Sequence, residues 1–455
     1  MDKTWVWREL RSLDPPYNST MHTYPAQLEI RPLSAPPTCT VSVPGSKSIT
    51  NRALVLAALA SQQSSCVLTG ALHSEDTEVM VDCLTRLGFD VRPDWPAAQI
   101  TIGKNDSDRI IPAESADLFV ANSGTTMRFL AAMVSLDSGE YRLDGVPRMR
   151  ERPVQDLLIA LRQVGVDAQS ESDTGCPPVV IRSRGWTGNE LTVRGDVSSQ
   201  FLSGLLMAAA WSDIADEQVL IRIDGPLVSI PYVRMTLNVM NPWAFEAGWL
   251  DEHTLFVAPG LIGPPHQYAI EPDASAASYF FAAASITGGS VTVRGMKRDM
   301  LQGDVKFVEC LEQMGCRVEY TADGITVHGG SLRGIDVDMN AISDTVMTLA
   351  AVACFADGPT TIRNVAHIRH KETDRIAAVA AELRKLGAEV YEFPDGLRIT
   401  PRPLTGCAVD TYNDHRMAMS LALVGLKAPG VVINNPGCVA KTYPGFWEDF
   451  EKLRS

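Results

Sequence analysis

The stretch that decides the fold is "VPGSKSITNRALVLAALA", residues 43–60. A polar start from Gly45 to Ser48 leads directly into an apolar run that is typical of a buried helix. A helix start presents free N–H groups and the positive end of the helix dipole, which favours a phosphate or a carboxylate. The stretch is not a nucleotide-binding P-loop, because Thr40 replaces its first glycine and Ser46 separates Gly45 from Lys47. Taken alone, the stretch is better explained by a serine N-cap after a Pro-Gly turn.

A similar block recurs along the chain. Six stretches rich in Ala, Leu and Met are predicted as buried helices, namely 48–60, 124–136, 198–211, 274–286, 344–356 and 414–426. Five are followed by a pattern that predicts an amphipathic helix, a terminal glycine and then a strand: "CLTRLGFDV", "ALRQVGVDA", "AFEAGWL", "CLEQMGCRV" and "ELRKLGAEV". The sixth unit is split. The C-terminal "GFWEDFEKL" supplies its helix, and the N-terminal "AQLEIRPL" is predicted to supply a strand.

Six such units predict an α/β fold of two domains with three units each. We expect an N-terminal extension at 1–25, one domain formed by 26–45 plus 271–455, and an inserted domain at 46–270. The starts of the six buried helices carry Lys, Gln, His and Arg in addition to capping residues. This excess predicts that the helix starts converge on one cleft between the domains, whereas ordinary caps facing solvent are the alternative.

Composition narrows the class of partner. The chain of 455 residues has 40 Lys and Arg against 54 Asp and Glu, a net charge of −14, which argues against nucleic acid and anionic membranes as partners. No apolar run approaches the ~20 residues that span a bilayer, and the first twenty residues do not fit a signal or transit peptide. Nine cysteines without a C-x-x-C pair predict free thiols in a reducing cytoplasm and no metal site. An anionic substrate then needs a local basic pocket.

Seven motifs occur in one order from about residue 27 onward: "PGSKSITNRAL", "NSGTTMRFL", "PRMRERP", "VSSQFLSGLLMAA", "HKETDRI", "YNDHRMAM" and "AKTYPGFW". Together they resemble the 5-enolpyruvylshikimate-3-phosphate synthase family. The resemblance implies two domains of three βαβαββ-like units with buried helices aimed at an interdomain cleft. It also implies a monomeric enzyme that converts shikimate 3-phosphate and phosphoenolpyruvate into an enolpyruvyl ether and phosphate, with no cofactor and no metal.

The resemblance carries binding roles onto positions of this chain. Around phosphoenolpyruvate it places Lys47, Asn122, Gly124, Thr125, Arg152, Gln200, Arg375, His415, Arg416 and Lys441. Around shikimate 3-phosphate it places Lys47, Ser48, Arg52, Ser198, Ser199, Gln200, Ser229, Tyr232, Asp344, His367 and Lys371. These roles make physical sense, because planar guanidinium groups bind carboxylate and phosphate with two hydrogen bonds each.

The resemblance also assigns the chemistry. Asp344 matches the base that deprotonates the 5-hydroxyl, Glu372 matches the acid that protonates the enol carbon, and Lys47 assists at the same centre. Cationic neighbours drive a carboxyl group towards ionisation, so burial must oppose them if Glu372 is to deliver a proton. His415 is either a helper or a helix cap, and Asp374 either orients Arg375 or is structural.

Two positions depart from the family. His367 stands where many relatives have an asparagine that contacts shikimate 3-phosphate, and Phe129 replaces a proline that is common in part of the family. The family's inhibitor glyphosate acts at the phosphoenolpyruvate site, where Gly124 leaves room for it.

Two rivals remain open from the sequence. A UDP-N-acetylglucosamine enolpyruvyl transferase shares the fold but uses a loop cysteine, and none stands between 128 and 152. A non-catalytic phosphosugar-binding or RNA-end-processing protein could be built on related repeats. The acidic composition and the pair Asp344 and Glu372 count against that second rival.

Overall fold

A computed structural model of the chain describes residues 23–212, 218–243, 246–258 and 265–454. Within these ranges lie twelve α-helices, which alternate between inner and outer ones: α1 Lys47–Leu59, α2 Glu75–Arg86, α3 Gly124–Met133, α4 Gln155–Gln163, α5 Ser199–Ala209, α6 Ile230–Met240, α7 Ala274–Thr287, α8 Phe307–Met314, α9 Val346–Ala353, α10 Arg375–Lys385, α11 His415–Gly425 and α12 Phe446–Glu451. The odd-numbered helices are buried along almost their whole length, as their apolar composition predicts.

The strands are short and bracket the helices. They are β1 Gln27–Ile30, β2 Thr38–Val41, β3 Cys66–Thr69, β4 Val91–Asp94, β5 Gln99–Ile102, β6 Ser115–Phe119, β7 Ser138–Asp144, β8 Asp167–Ser170, β9 Val179–Arg184, β10 Glu190–Arg194, β11 Val219–Asp224, β12 Glu246–Asp251, β13 Thr254–Ala258, β14 Gln267–Ala269, β15 Ser290–Arg294, β16 Arg317–Tyr320, β17 Gly324–His328, β18 Asp336–Asp338, β19 Thr360–Arg363, β20 Glu389–Phe393, β21 Gly396–Thr400, β22 Ala408–Val409 and β23 Val431–Asn434.

All six sheets share one topology. The orders of the five four-stranded sheets are β14-β3-β5-β4, β6-β7-β9-β8, β10-β11-β13-β12, β2-β15-β17-β16 and β18-β19-β21-β20. In each, the first pair is parallel and the other two pairs are antiparallel. The sixth sheet, β22-β23-β1, repeats the first two pairings. β1 thus completes the sixth unit, and the prediction made for "AQLEIRPL" is confirmed.

The apolar interior forms two clusters. One takes its buried residues from 49–270, and the other takes them from Ile30, Val41 and 274–453. The limits of the two domains themselves stay a prediction, and most of the proposed N-terminal extension, residues 1–22, lies outside the described residues.

The two chain segments that pass between the clusters run side by side. The amide of Ser46 donates to the carbonyl of Glu271 at 2.8 Å, and the amide of Asp273 donates to the carbonyl of Pro44 at 2.8 Å. We call these two segments, 42–46 and 270–273, the crossing segments. Their mutual hydrogen bonds tie the starts of α1 and α7 together.

Four of the five predicted terminal glycines end an outer helix in the left-handed conformation that favours glycine, namely Gly88, Gly165, Gly315 and Gly387. The prediction for "AFEAGWL" is wrong, because the outer helix of that unit is α6, which ends at Met240, and Gly248 lies inside β12. Gly248 lies opposite Phe256 of the paired strand β13, so this glycine belongs to a strand and does not end a helix.

Ile30 tests the completion of the sixth unit. Its side chain is buried and lies against Gly425 of α11, opposite Val431 in β23. Ile30→Ala is expected to lower the free energy of unfolding by about 2–5 kcal/mol, measured in urea, because it leaves a cavity. The exposed neighbour variant Glu29→Ala should change it by less than about 0.5 kcal/mol. Equal effects of the two variants would show that β1 does not pack in the fold.

Candidate active site

One narrow cavity lies where the starts of the inner helices meet. The side chains around it are Lys47, Gly124, Thr125, Arg152, Gln200, Asp344, Lys371, Glu372, Arg375, His415 and Arg416. They come from the starts of α1, α3, α5, α10 and α11, and from the turns before α4, α9 and α10, so five of the six predicted starts of inner helices converge. The sixth start, that of α7, lies beside the cavity, where Asp273 accepts a hydrogen bond from the Lys47 amide. Five basic side chains against two acidic ones make the cavity positive in a negatively charged protein.

Arg375 is the centre of the charged network. Its guanidinium is buried and reaches three carboxylates: Asp344 at 3.1 Å, Glu372 at 2.7 Å and Asp414 at 2.8 Å. Arg416 adds a second guanidinium 2.7 Å from Asp344. Each carboxylate is therefore held by at least one hydrogen bond to a charged donor, which fixes its position.

Lys441 connects the two parts of the molecule, which we call halves: the one with the apolar cluster of 274–453 and the one with the cluster of 49–270. Its ammonium group lies 2.8 Å from Asp76, 2.8 Å from the carbonyl of Asn122 and 3.9 Å from Glu372. Arg152 also donates to the Asn122 carbonyl, at 3.0 Å. The role of Asn122 here is thus to accept hydrogen bonds from two cations and hold them at the cavity edge.

A second narrow cavity shares Arg152, Gln200 and Lys371 with the first. It adds Ser198, His367, His370 and Arg128. The Nε2 atom of His367 lies 3.2 Å from Oγ of Ser229. Of the residues that the resemblance places around shikimate 3-phosphate, Ser198, Gln200, His367 and Lys371 line this second cavity, and Ser229 contacts His367.

Residues 34–450 of the chain match the sequence model of the family EPSP synthase (3-phosphoshikimate 1-carboxyvinyltransferase). A 3-phosphoshikimate 1-carboxyvinyltransferase of Nostoc punctiforme is 47% identical over 427 residues, which cover 94% of this chain and 99% of the relative. A protein of the same name from Yersinia pestis is 45% identical over 418 residues, 91% of this chain and 96% of the relative. The chain belongs to the EPSP synthase family.

Solved structures agree on the fold. An EPSP synthase from Acinetobacter baumannii superposes with a TM-score of 0.77 at 24% identity and covers 94% of this chain and 98% of that one. The enolpyruvyl transferase NikO from Streptomyces tendae gives a TM-score of 0.72 at 21% identity, with coverage of 94% and 97%. At such identities the likeness concerns the fold alone, and the predicted two-domain α/β fold is confirmed.

Some residues that the resemblance assigns to the EPSP synthase site lie behind the cavity rather than on it. Arg52 is buried, and its guanidinium donates to Thr236, to Ser203 and to the Ser48 carbonyl. Phe129, which replaces the proline common in part of the family, also lies behind the cavity. The centre of its ring is 5.1 Å from the Arg52 guanidinium. Ser199 is buried in the first turn of α5.

Geometry bears on two alternatives that the sequence left open, those for Asp374 and His415. Asp374 caps α10 by accepting from the Ala377 amide and pairs with Arg369 at 2.8 Å, so its role is structural and it does not orient Arg375. Asp414, not His415, caps α11, and neither ring nitrogen of the buried His415 has a hydrogen-bond partner among the described residues. Capping is thus excluded for His415, whose side chain lines the cavity, and its role as a helper stays a prediction.

Asp344 also differs from its sequence prediction. It was expected to open an inner helix, but α9 begins at Val346 and Asp344 lies in a 3-10 helix, Asn340–Thr345. Its carboxylate caps no helix. The carboxylate is therefore free to bind Arg375, Arg416 and Tyr232.

Electrostatics set the protonation of the site. Burial opposes ionisation of Asp344 and Glu372, but the surrounding cations together outweigh it, with Arg416 contributing most for Asp344 and Arg375 most for Glu372. Both pKa values therefore lie well below the ordinary range. Burial lowers the pKa of Lys371 to about 8 against the attraction of Asp344. Burial and Lys371 lower the pKa of His367 to about 3, so this imidazole is neutral.

The sequence reasoning missed several members of the site. Three of them, Asp76, Asp304 and Asn340, lie outside all quoted motifs. Two others, Arg128 and Arg148, lie inside quoted motifs but received no role. Asp414 entered the prediction only as part of a helix start. Arg148 donates to the carbonyls of Lys371 at 3.0 Å and Glu372 at 3.1 Å, across the two halves. The motif "PRMRERP" holds three arginines, and the two beside Arg152 were the available signal for that contact.

Other classes of site receive no support in the described ranges. No group of His, Cys, Asp and Glu there is arranged to hold a metal ion, and no helix there is long and apolar enough to cross a membrane. A wider groove beside the crossing segments includes Trp95 and Tyr443 but neither Lys nor Arg among its described residues. That groove is unsuited to a polyanion.

Lys371 makes anion binding depend on pH. Because its pKa is about 8, the cavity has its full positive charge below that pH and loses one charge as the pH rises through it. The affinity for sulfate, whose own charge is constant here, is expected to fall by up to about tenfold per pH unit above this point. Titration calorimetry of sulfate checks this.

Two variants serve as controls for that titration. Lys371→Arg keeps its charge and should abolish the fall, whereas Lys297→Arg, at an exposed lysine, should keep the wild-type profile. A flat wild-type profile, or a fall that survives in Lys371→Arg, would remove Lys371 from the anion site.

Proposed function

We propose that this chain transfers the enolpyruvyl group of phosphoenolpyruvate to the 5-hydroxyl of shikimate 3-phosphate and releases phosphate, as a 3-phosphoshikimate 1-carboxyvinyltransferase of the shikimate pathway. The single observation that carries the proposal is the positive cavity with Asp344 and Glu372 on its wall, in a chain 47% identical to a protein of that name. Both substrates carry a carboxylate and a phosphate, and the two joined cavities offer cations for both.

Asp344 acts as the base. Its carboxylate is ionised and is held by Arg375 and Arg416, so no proton must leave it before the reaction starts. As the 5-hydroxyl oxygen bonds to the central carbon of phosphoenolpyruvate, Asp344 receives the hydroxyl proton. Lys47, at the start of α1, contributes positive charge from the opposite wall.

Glu372 acts as the acid only after substrate binding. In the free site Arg375, Arg152 and Lys441 keep it ionised. Bound phosphate and carboxylate groups neutralise these same cations, which weakens their hold and raises the pKa of Glu372. Binding of the substrate thus enables Glu372 to take up the proton that it then donates to the substrate.

The supported reaction is preferred to its rivals. The matched relatives bear the shikimate enzyme's name and not that of the UDP-N-acetylglucosamine enzyme. A non-catalytic binder has no use for a base held between two arginines. We propose in addition a cytoplasmic, monomeric enzyme that acts on small molecules only and binds no nucleic acid.

Phosphate release tests the reaction directly. Release is expected only when shikimate 3-phosphate and phosphoenolpyruvate are both present. Equal release with UDP-N-acetylglucosamine in place of shikimate 3-phosphate would support the first rival, and release in neither mixture would leave a binding protein.

Asp344→Asn separates binding from chemistry. The variant should keep both substrates bound and lose about 10²-fold or more in turnover, because an amide cannot accept the proton. Calorimetry and steady-state rates measure the two effects. Lost binding of shikimate 3-phosphate with unchanged turnover per bound complex would make Asp344 a binding residue.

Gly124→Ala tests inhibition by glyphosate, to which we expect the wild type to be sensitive. An added methyl would lie 2.5 Å from Nη2 of Arg152 and 2.6 Å from Nη1 of Arg128, so it must displace them or fill the inhibitor's space. With a steric cost of about 1–3 kcal/mol, inhibition should weaken by about 5- to 150-fold, and the KM for phosphoenolpyruvate should rise less.

The matched control for this variant is Gly445→Ala, where an added methyl meets nothing within 4 Å. The inhibition constant against phosphoenolpyruvate is measured for all three proteins. Inhibition that is unchanged in Gly124→Ala, or a wild type indifferent to glyphosate, would show that Gly124 does not set the fit.

A further inference from the structure

A chain of buried oxygen atoms runs away from the cavity behind Asp344. The hydroxyl of Tyr232, on α6, lies between two carboxylates, 3.2 Å from Oδ2 of Asp344 and 3.1 Å from Oδ2 of Asp304. Asp304 belongs to a 3-10 helix, Gly303–Lys306, and is 5% exposed. It does not line either cavity.

Asp304 is poorly compensated for a buried carboxylate. It accepts hydrogen bonds at Oδ2 from Tyr232 and from the hydroxyl of Ser275, while its Oδ1 has no partner among the described residues. Asp344, in contrast, lies at ion-pair distance from two guanidinium groups. No ion pair with Asp304 occurs in the described ranges. Of the two carboxylates, Asp304 therefore holds a proton more strongly.

The surroundings of Asp304 set the pH at which it titrates. Facing it are Tyr232 from α6, Asp273 and Ser275 from the start of α7, Asp344 from the 3-10 helix before α9, and Arg416 from α11. Burial and the negative charge of Asp344 raise its pKa to about 6, against the opposing effects of Arg416 and Ser275. Asp304 is thus ionised at neutral pH and ready to accept a proton.

We infer that Asp304 accepts, through Tyr232, the proton that Asp344 takes from the substrate hydroxyl. The inference rests on the proposed function. When the new carbon–oxygen bond forms, the hydroxyl proton moves to Asp344. A proton on Oδ2 of Asp344 then passes to the Tyr232 oxygen, while the phenol's own proton passes to Oδ2 of Asp304. Tyr232 ends neutral, Asp344 is again a carboxylate, and no electron is gained or lost.

The transfer has a direction because the two ends differ. A proton left on Asp344 would cancel the charge that Arg375 and Arg416 hold in place, whereas a proton on Asp304 removes an uncompensated buried charge. Tyr232 can donate only one proton, so it bonds Asp304 before the step and Asp344 after it.

The relay predicts that kcat declines on the acidic side of its pH profile, and we call this decline the acid limb. Asp304 must be ionised to accept, so kcat should fall as the pH falls through about 6. The phosphate groups of the substrates also titrate near pH 6, and the wild-type profile alone does not separate the two causes. A limb due to substrate phosphate persists in a variant that lacks Asp304.

The experiment measures kcat, both KM values and the pH profile by phosphate release. Asp304→Asn, which keeps the shape of the side chain, should lower kcat at least about tenfold, less than Asp344→Asn, and should lose the limb with nearly unchanged KM values. Ser275→Ala removes a hydrogen bond that lowers the Asp304 pKa, so it should keep kcat at high pH and move the limb upward.

The matched control is Glu271→Gln. Glu271 is another carboxylate with a raised pKa. Its described hydrogen-bond donors are the backbone amide of Leu301 and the side-chain amide of Gln302, and Tyr232 is not among them. The wild-type limb should persist in this variant. A direct readout is the infrared band of a protonated carboxyl group, which should appear as the pH falls through about 6 and be missing in Asp304→Asn.

The outcomes distinguish the inference from the proposed function. A wild type that releases no phosphate overturns the function and the relay with it. An active wild type together with an Asp304→Asn variant that keeps kcat and the limb overturns the relay alone. If Asp304→Asn fails to fold, Ser275→Ala decides, and an unshifted limb in that variant overturns the relay.

Discussion

The buried guanidinium of Arg375 is the interaction on which the site depends. A charge buried in this way is tolerated only with close partners, because removing one partner leaves several kcal/mol of desolvation uncompensated. Asp344, Glu372 and Asp414 supply them, and they come from the turn before α9, the turn before α10 and the start of α11. One cation therefore fixes three backbone positions relative to one another. The same hydrogen bonds that satisfy the arginine hold the three carboxylates in position, and they help to keep Asp344 and Glu372 ionised.

Charge also relates the two halves. The protein is acidic overall, yet the surfaces that meet in the cavity are basic, so bringing them together without an anion between them is electrostatically unfavourable. A few contacts counter this repulsion: Lys441 and Lys47 with Asp76, and Arg148 with the carbonyls of Lys371 and Glu372. A substrate with two negative groups adds the missing counter-charges. Substrate binding and the contact between the two halves thereby belong to one electrostatic balance.

Local chemistry decided how much of this could be predicted. The repeat, the buried helices and the glycine ends follow from apolar periodicity and from the left-handed conformation of Gly88 or Gly387, and these are properties of short segments. The error at Gly248 arose because a glycine in a paired strand looks the same in sequence as a glycine after a helix. The burial of Arg52 could not be predicted either, since its partners Ser203 and Thr236 lie about 150 and 184 residues away. Asp304 belonged to no motif and acquires its environment only from the packing of four elements.

The pairing of β1 with β23 determines the order in which the two halves can fold during synthesis. β1 is among the first described segments to leave the ribosome, but its register partners, from Val431 to Asn434, are made some 400 residues later. At ordinary rates of translation this delay is on the order of tens of seconds. The segment 46–270, in contrast, holds every strand of its three sheets and can complete them as it emerges. The half that contains β1 and β23 must therefore finish last, and an edge of β1 stays unpaired until β23 has been made.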